Sequence, residues 1–276
     1  MVATPIGNLA DITLRALHLL QLADTIACED TRHTQALLRA YGIDKSAPQL
    51  FALHQHNEAQ AAQAVIERLR RGERVVYASD AGTPAISDPG ARLVAAVRLA
   101  CLPVIPLPGA SSVTALLSVA GIADEGAQHG AFVFIGFLST RSSERATAIE
   151  ALANEARAVV MLEAPHRIEA LAAALAVLGS RALTIGRELT KQFEEIATIT
   201  ARDFPDWLRA EPHRSRGEFV LVLHPVKLAI EPGAEQRVLK LLLAELPLKS
   251  AVKLTAEITG VARNTLYDMA LALRKD

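Results

Sequence analysis

Glu29-Asp30-Thr31-Arg32-His33 sets five polar residues directly after the apolar run 25–27. Capping of a following helix accounts for Asp30 or Thr31, but not for Glu29, Arg32 and His33. His54-Gln55-His56-Asn57-Glu58 follows the next apolar run in the same way. Histidines at i and i+2 of an extended chain point the same way, a spacing that suits a metal ion. No third ligand stands near them, so the expectation is a loop contact to a polar substrate through His54, and no metal. Further on, Glu163-Ala164-Pro165-His166-Arg167 joins a strand to a helix, and Arg187-Glu188-Leu189-Thr190-Lys191 follows another strand. Cations at strand ends suit phosphate recognition. They serve surface ion pairs equally well.

Three glycine- and proline-bearing loops stand where strands end: TPIGN at 4–8, SDAGTPAISDPG at 79–90 and PLPGASS at 106–112. Ligands in open α/β sheets bind outside the carboxyl ends of strands, so three such loops can line one crevice. Glycine lets a ligand approach the backbone, and proline holds a loop open with little conformational freedom. Asp80 offers an acceptor to a ribose or an amino group. Ser111 and Ser112 can cap the next helix while facing a ligand. Each loop alone reads as an ordinary turn. Three together, with Asp80 and Asp88 bracketing the longest, favour a site. None is a GxGxxG or Walker A loop, which argues against a dinucleotide or a nucleoside triphosphate.

The elements that must hold these loops follow from the apolar pattern. The chain has 276 residues, enough for two domains, and its 51% hydrophobic content excludes general disorder. Aromatics are only 4%, and an Ala/Leu/Val-rich mix suits buried parallel strands under helices. Strands are expected at 25–27, 50–53, 75–78 and 104–107, and helices at 11–23, 34–41, 58–70, 91–100 and 112–120. That alternation predicts a parallel sheet with right-handed crossovers. A second α/β set is expected, with strands at 132–136, 158–162, 182–186, 196–200 and 218–223 and helices at 143–155 and 167–178. Residues 125–130 and 224–233 are the expected connections. The reading is thus two α/β domains, 1–123 and 124–226, and a helical tail, 227–276.

Residues 99–123 carry no charge over a length that spans a bilayer, but Pro103, Pro106, Pro108 and Gly109 divide them into strand, loop and buried helix. No membrane partner is expected. A net charge of −1 excludes a globally basic nucleic-acid binder, leaving only local surfaces. Two cysteines without a CxxC, and no signal-like start, suggest a cytoplasmic, reducing setting.

Residues 249–273 read as helix, turn at Gly260, helix, with Ala256, Gly260 and Leu266 spaced as in a helix-turn-helix. From Gln236 onward seven Lys/Arg stand against four Asp/Glu, a modest basic excess. That suits docking on structured RNA. A small bundle that packs on the body is the alternative.

Together, TPIGNLADITLRAL (4–17), EDTRHT (29–34), SDAGTPAISDPG (79–90), PLPGASS (106–112), EAPHR (163–167), RELTK (187–191) and GEFVLV (217–222) occur in this order. With them the whole chain resembles the ribosomal RNA small subunit methyltransferase I family, in the tetrapyrrole-methylase-like superfamily. EDTRHT, SDAGTP and EAPHR belong to that branch, whereas the fold is shared more widely. The resemblance implies a homodimeric enzyme that uses S-adenosylmethionine, releases S-adenosylhomocysteine and holds the cofactor between two α/β domains. Its implied substrate is the 2′-hydroxyl of a decoding-centre cytidine in small-subunit ribosomal RNA, within the 30S subunit, with no DNA partner. By motif match, Asp80, Ala81, Gly82, Thr83, Ile86, Ser111, Ser112 and the backbone at Leu162 would contact the cofactor. Pro5, Gly7 and Asn8, with His54, His166 and Arg167, would serve the substrate. Leu162 and Ser139 stand where this family commonly carries tyrosine and proline.

Methyl transfer from a sulfonium needs in-line approach of the oxygen, so positioning should supply most of the acceleration. A ribose hydroxyl is a poor nucleophile at neutral pH. Glu29, Asp30, His54 and Glu188 are the candidate bases, with Arg32 or Lys191 to stabilise developing negative charge. A precorrin-type methyltransferase of the same fold would not need the tail. A DNA-binding regulator with a ligand-sensing body would leave the polar groups at 29–33 and 163–167 without a use.

Overall fold

Strands in the first half are short and almost wholly apolar because helices cover both faces of their sheet. In this computed structural model, which describes residues 1–53, 57–122, 130–226 and 234–273, β1 (Thr25–Cys28) lies between β2 (Leu50–Ala52) and β3 (Val75–Ala78), all parallel. Ala16 and Leu20 of α1 (Leu14–Leu22) and Leu38 of α2 (Thr31–Ala40) pack with Ile26 and Val76 in one core cluster. Val65 and Ile66 of α3 (Glu58–Arg70) and Leu93 and Val97 of α4 (Ala91–Leu99) pack with Ala27 and Tyr77 in another. The parallel sheet expected for this half is present.

Three local expectations differ from what forms. Residues 104–107 contribute a single bridge, from Leu107 to Val2, because Pro103 and Pro106 remove donors that a ladder needs. Residues 11–23 divide into a 3-10 turn (Leu9–Asp11) and α1, with Thr13 accepting the N–H of Ala16 at 3.1 Å. Helix α2 starts earlier than residue 34, because Asp30 accepts the N–H of Arg32 at 2.8 Å.

The second sheet runs β4 (Phe132–Gly136), β5 (Ala158–Glu163), β8 (Phe219–Leu223), β6 (Ala182–Arg187) and β7 (Glu195–Thr200) in that order. Only β4 and β5 are parallel; the other three pairings are antiparallel. The all-apolar β8 sits at the centre and is buried at every residue, as its composition predicts. Ile149 of α6 (Ser142–Leu152), Leu171 and Leu175 of α7 (Ile168–Leu175) and Phe204 and Leu208 of α8 (Phe204–Ala210) share a core with alternate residues of these strands. The remaining alternate residues, Val160, Val220 and Val222, pack with Val113 and Leu116 of α5 (Ser112–Val119). Although α5 follows the first sheet in the chain, its apolar side thus belongs to the second. Helix α8 was not expected from the pattern.

Met1–Pro225 and Val226–Asp276 form two compact units. The smaller holds α9 (Ala234–Glu245), α10 (Leu248–Thr259) and α11 (Arg263–Leu273) around Leu239, Ala251, Val252, Leu266 and Ala270. Gly260, left-handed at φ 72°, closes α10 at the expected turn. The expected connections lie largely outside the described residues, at 123–129 and from 227 to 233. No helix among the described residues is long and apolar enough to cross a membrane.

Candidate active site

The three glycine- and proline-bearing loops are tied to one another by hydrogen bonds. Thr4 and Gly82 exchange main-chain bonds at 3.0 and 2.9 Å, and the Thr4 hydroxyl donates to the carbonyl of Ser79 at 3.2 Å. The Thr83 hydroxyl donates to the carbonyl of Ala110 at 3.0 Å, joining the second loop to the third. Asp80 turns back toward the polar group after β1 and accepts the N–H of Asp30 at 3.2 Å. At the far end of the same loop, Glu58 of α3 accepts the N–H groups of Gly90, Arg92 and Leu93 at 3.0, 3.0 and 3.2 Å. A side chain from α3 therefore satisfies the free donors at the start of α4.

The first loop also reaches the second lobe. Asn8 donates its N–H to the Thr190 hydroxyl at 3.1 Å. A Cβ on Gly7 would collide with Lys191 Cγ and stand 2.8 Å from Thr190 Oγ1, so only glycine permits this approach. Glu188 and Thr190 adopt left-handed backbone at φ 51° and 66°, and Ala85 in the second loop does so at 67°. Three of the four left-handed non-glycine residues among those described thus stand in the second loop or in the 187–191 segment that the first loop meets, a strain of the kind that clusters at functional sites.

Between the lobes lies a cleft of about 320 Å³, toward the lower end of the ~300–1,000 Å³ usual for ligand pockets. The first lobe lines it with Ile6, Ala81, Gly82, Thr83, Ile86, Ser87 and Asp88, and the Ser111–Val113 segment enters from α5. The second lobe adds Phe137, Leu162, Glu163, Ala164, Pro165, Leu189, Glu218, Phe219 and Val220. Seven of the eight residues matched to cofactor contacts line this cleft, and Asp80 precedes Ala81 in the chain without lining it. Ser111 occupies the cap position of α5 without a side-chain capping bond, so its hydroxyl is not spent on its own helix.

The other candidate residues divide. Asp30 caps α2 and pairs with Arg32 at 3.1 Å near the surface; the Arg32 hydrogen bond and charge hold its carboxyl below the usual range. Burial pushes the Glu29 carboxyl up, reinforced by the charges of Asp80 and Asp88. Asp88 is likewise pushed up by burial, with Asp80 and Glu218 adding to the effect. Lys191 bridges Glu188 at 2.8 Å and Glu218 at 3.0 Å. Burial pushes Glu188 up, but hydrogen bonds from Lys191 and the N–H of Glu218 outweigh it, and the net shift is downward. Lys191 is held protonated above its ordinary range because the same carboxylates overcome burial.

Pro5, Gly7, Asn8, His166 and Arg167 flank the cleft in sequence without lining it. Arg167 is turned inward: its guanidinium pairs with buried Glu163 at 3.1 Å and donates to the carbonyl of Leu138. His54 lies outside the described residues. Among the described residues no group of three or more His, Cys, Asp or Glu is placed to hold a metal ion. Glu163, Glu218, Asp88 and Phe137 line the cleft although none was expected to contact a ligand, Asp88 being expected only to bracket its loop. The first three stand inside recognised motifs, whereas nothing in the spacing marks Phe137.

Residues 1–205 match the tetrapyrrole (corrin/porphyrin) methylases, and residues 229–274 match the RsmI C-terminal HTH domain. A Neisseria meningitidis serogroup B protein named ribosomal RNA small subunit methyltransferase I is 47% identical over 99% of this chain and 92% of its own. This chain belongs to the tetrapyrrole methylase family, in its ribosomal RNA small subunit methyltransferase I branch. Tetrapyrrole methylases of known structure share its fold. A cobalt precorrin-4 methyltransferase superposes with a TM-score of 0.58 at 18% identity, covering 80% of this chain and 92% of that one. The uroporphyrin-III C-methyltransferase of Thermus thermophilus, solved with S-adenyl homocysteine, gives 0.53 at 17% identity over 80% and 94%.

Proposed function

We propose that this chain transfers a methyl group from S-adenosylmethionine to the ribose 2′-hydroxyl of a decoding-centre cytidine in small-subunit ribosomal RNA. It would act as a cytoplasmic homodimer on the 30S subunit. The observation that carries this reading is the interlobe cleft, lined by seven of the eight residues matched to cofactor contacts. Its chemistry fits that cofactor. Apolar walls from Ile86, Val113 and Leu162 suit a ring, and the hydroxyls and N–H groups at Ser111 and Ser112 suit a carboxylate. Asp88 borders the same space and favours a cationic group, whereas Glu163 and Glu218 are already paired with Arg167 and Lys191.

When bound, S-adenosylmethionine supplies the methyl group from its sulfonium and leaves as S-adenosylhomocysteine. The chain's own task is to align the 2′-oxygen and take its proton. None of the described candidate bases lines the cleft. Glu29 is the preferred acceptor because it adjoins Asp30, which is tied to Asp80 beside the cleft-lining Ala81. Burial and the charges of Asp80 and Asp88 also make its carboxylate the stronger base. Lys191, kept protonated between Glu188 and Glu218, offers a fixed positive charge beside the approach to the cleft. The unit Val226–Asp276, whose sequence matches a helix-turn-helix family, is assigned to docking on the RNA.

Labelled S-adenosylmethionine and 30S subunits lacking the modification test this directly. Label should appear in one cytidine, and alkaline hydrolysis should leave the phosphodiester 3′ to it uncut, as a blocked 2′-oxygen requires. Label on a base, or none in RNA, would overturn the proposal. Removing residues 227–276 should depress RNA methylation while sparing cofactor binding.

A further inference from the structure

The cleft is bordered by two aromatic rings of very different standing. Phe219 is buried within the central strand at 2% exposure, whereas Phe137 is 50% exposed. Phe132, Phe193 and Tyr267 are also exposed, but among these Phe137 alone borders the cleft. Single exposed apolar side chains are common on protein surfaces, but this one borders the cleft, and the chain fixes its backbone there.

The chain does this from both sides of the residue. Pairing of β4 with β5 shifts register between Phe134 and Gly136, and Gly136 turns the chain with φ 65°. Immediately after Phe137, Leu138 is buried in the core of the second lobe, and its carbonyl accepts from the Arg167 guanidinium. Arg167 is fixed in turn by Glu163, whose side chain is fully buried and whose Oε2 has no hydrogen-bond partner among the described residues. Phe137 is thus the one unanchored side chain between two anchored neighbours.

We propose that Phe137 is a stacking surface for a nucleobase, with Glu163 and Arg167 as the residues that position it. This rests on the methyltransferase reading, in which two nucleobases approach the cleft: the adenine of the cofactor and the base of the target nucleotide. Either presents the π face that an exposed ring accepts. Arg167, spent on Leu138 and Glu163, acts here through Phe137 and not as a phosphate ligand.

Phe137→Leu and Phe137→Trp separate stacking from mere apolar filling. Calorimetry with S-adenosylhomocysteine reads one source, and KM for 30S subunits at saturating cofactor reads the other. Leucine should weaken one of the two by roughly 5- to 150-fold, and tryptophan should preserve both. A change confined to the calorimetric Kd assigns the ring to adenine; a change confined to KM assigns it to the RNA base. In a Trp207→Phe background, the tryptophan introduced at position 137 is the chain's only one, and its emission should be quenched by the same ligand. Adding Arg167→Lys should reduce that quenching without abolishing folding by circular dichroism. Wild-type binding and KM in Phe137→Leu would overturn the inference. A wild-type chain that binds no S-adenosylhomocysteine would overturn the methyltransferase reading, and this inference with it.

Discussion

The first lobe meets the cleft with loops joined by hydrogen bonds that all end on main-chain carbonyls, whereas the second meets it with side-chain ion pairs. On one side, Thr4, Gly82, Thr83 and Ala110 hold the wall through main-chain bonds and threonine hydroxyls that reach carbonyls, and the residues lining the cleft are uncharged apart from Asp88. On the other, Glu163–Arg167 and the Glu188–Lys191–Glu218 group hold the strand ends in place. A wall built of backbone tolerates changes in side chains better than changes in loop length. Where the pair is buried, as Glu163–Arg167 is, the sensitivity is the opposite, because removing one partner strands the other.

The sharpest way to break this contrast is Glu163→Ala. It leaves the Arg167 guanidinium, 19% exposed, without its counter-charge. The expected loss is about 3–5 kcal/mol in urea unfolding. A loss below 1 kcal/mol would mean that the second wall does not depend on its charges. Gly7→Ala tests the point where the walls touch. The added methyl meets Lys191 and Thr190, and a cost of about 1–3 kcal/mol is expected, with reduced methyl transfer. Unchanged stability would show that the lobes separate freely there.

Asp80→Ala probes the acidic anchor that ties the second loop to the polar group after β1. Cofactor affinity should fall roughly tenfold, and stability by about 1 kcal/mol, through loss of the acceptor for Asp30 N–H. Wild-type calorimetry in this variant would place the cofactor elsewhere in the cleft. The smallest effect is expected from Asp88→Asn. The folded-state pKa of Asp88 lies above its unfolded value, so its ionisation disfavours the fold as pH rises between the two. Asparagine should therefore raise the melting temperature by roughly 1–2 °C at neutral pH, and the gain should vanish below the ordinary carboxylate range. A gain that persists in acid would have another cause.

Much of this architecture was legible in the sequence, and the unread parts share a cause. Apolar runs ending in glycine and proline located the first sheet and its loops because both features are local. The direction of β8 and β6 is not local; it depends on which strand each meets, and the same apolar run serves parallel or antiparallel neighbours. Short α8 and the bridge at Leu107 escaped or misled the reading for the related reason that few residues carry each signal. In the site, the motif loops were visible as ligand-holding chain ends. The sequence leaves Arg167 open to a phosphate or to an ion pair, since it cannot reveal that Leu138 and Glu163 occupy the guanidinium. Phe137 had no spacing to betray it. Its meaning comes from the neighbours that anchor it.

Glu58 gives the 79–90 loop a freedom that its sequence does not advertise. A helix normally relies on the residue just before it, here at the end of that loop, to receive its first N–H groups. Because a neighbouring helix performs this service for α4, Ser87 and Asp88, which line the cleft, carry no obligation to start the helix. Their identities can drift or be redesigned to suit a different small molecule while the helix behind them stays intact. The structural duty has been outsourced, leaving the ligand-facing segment open to evolutionary change.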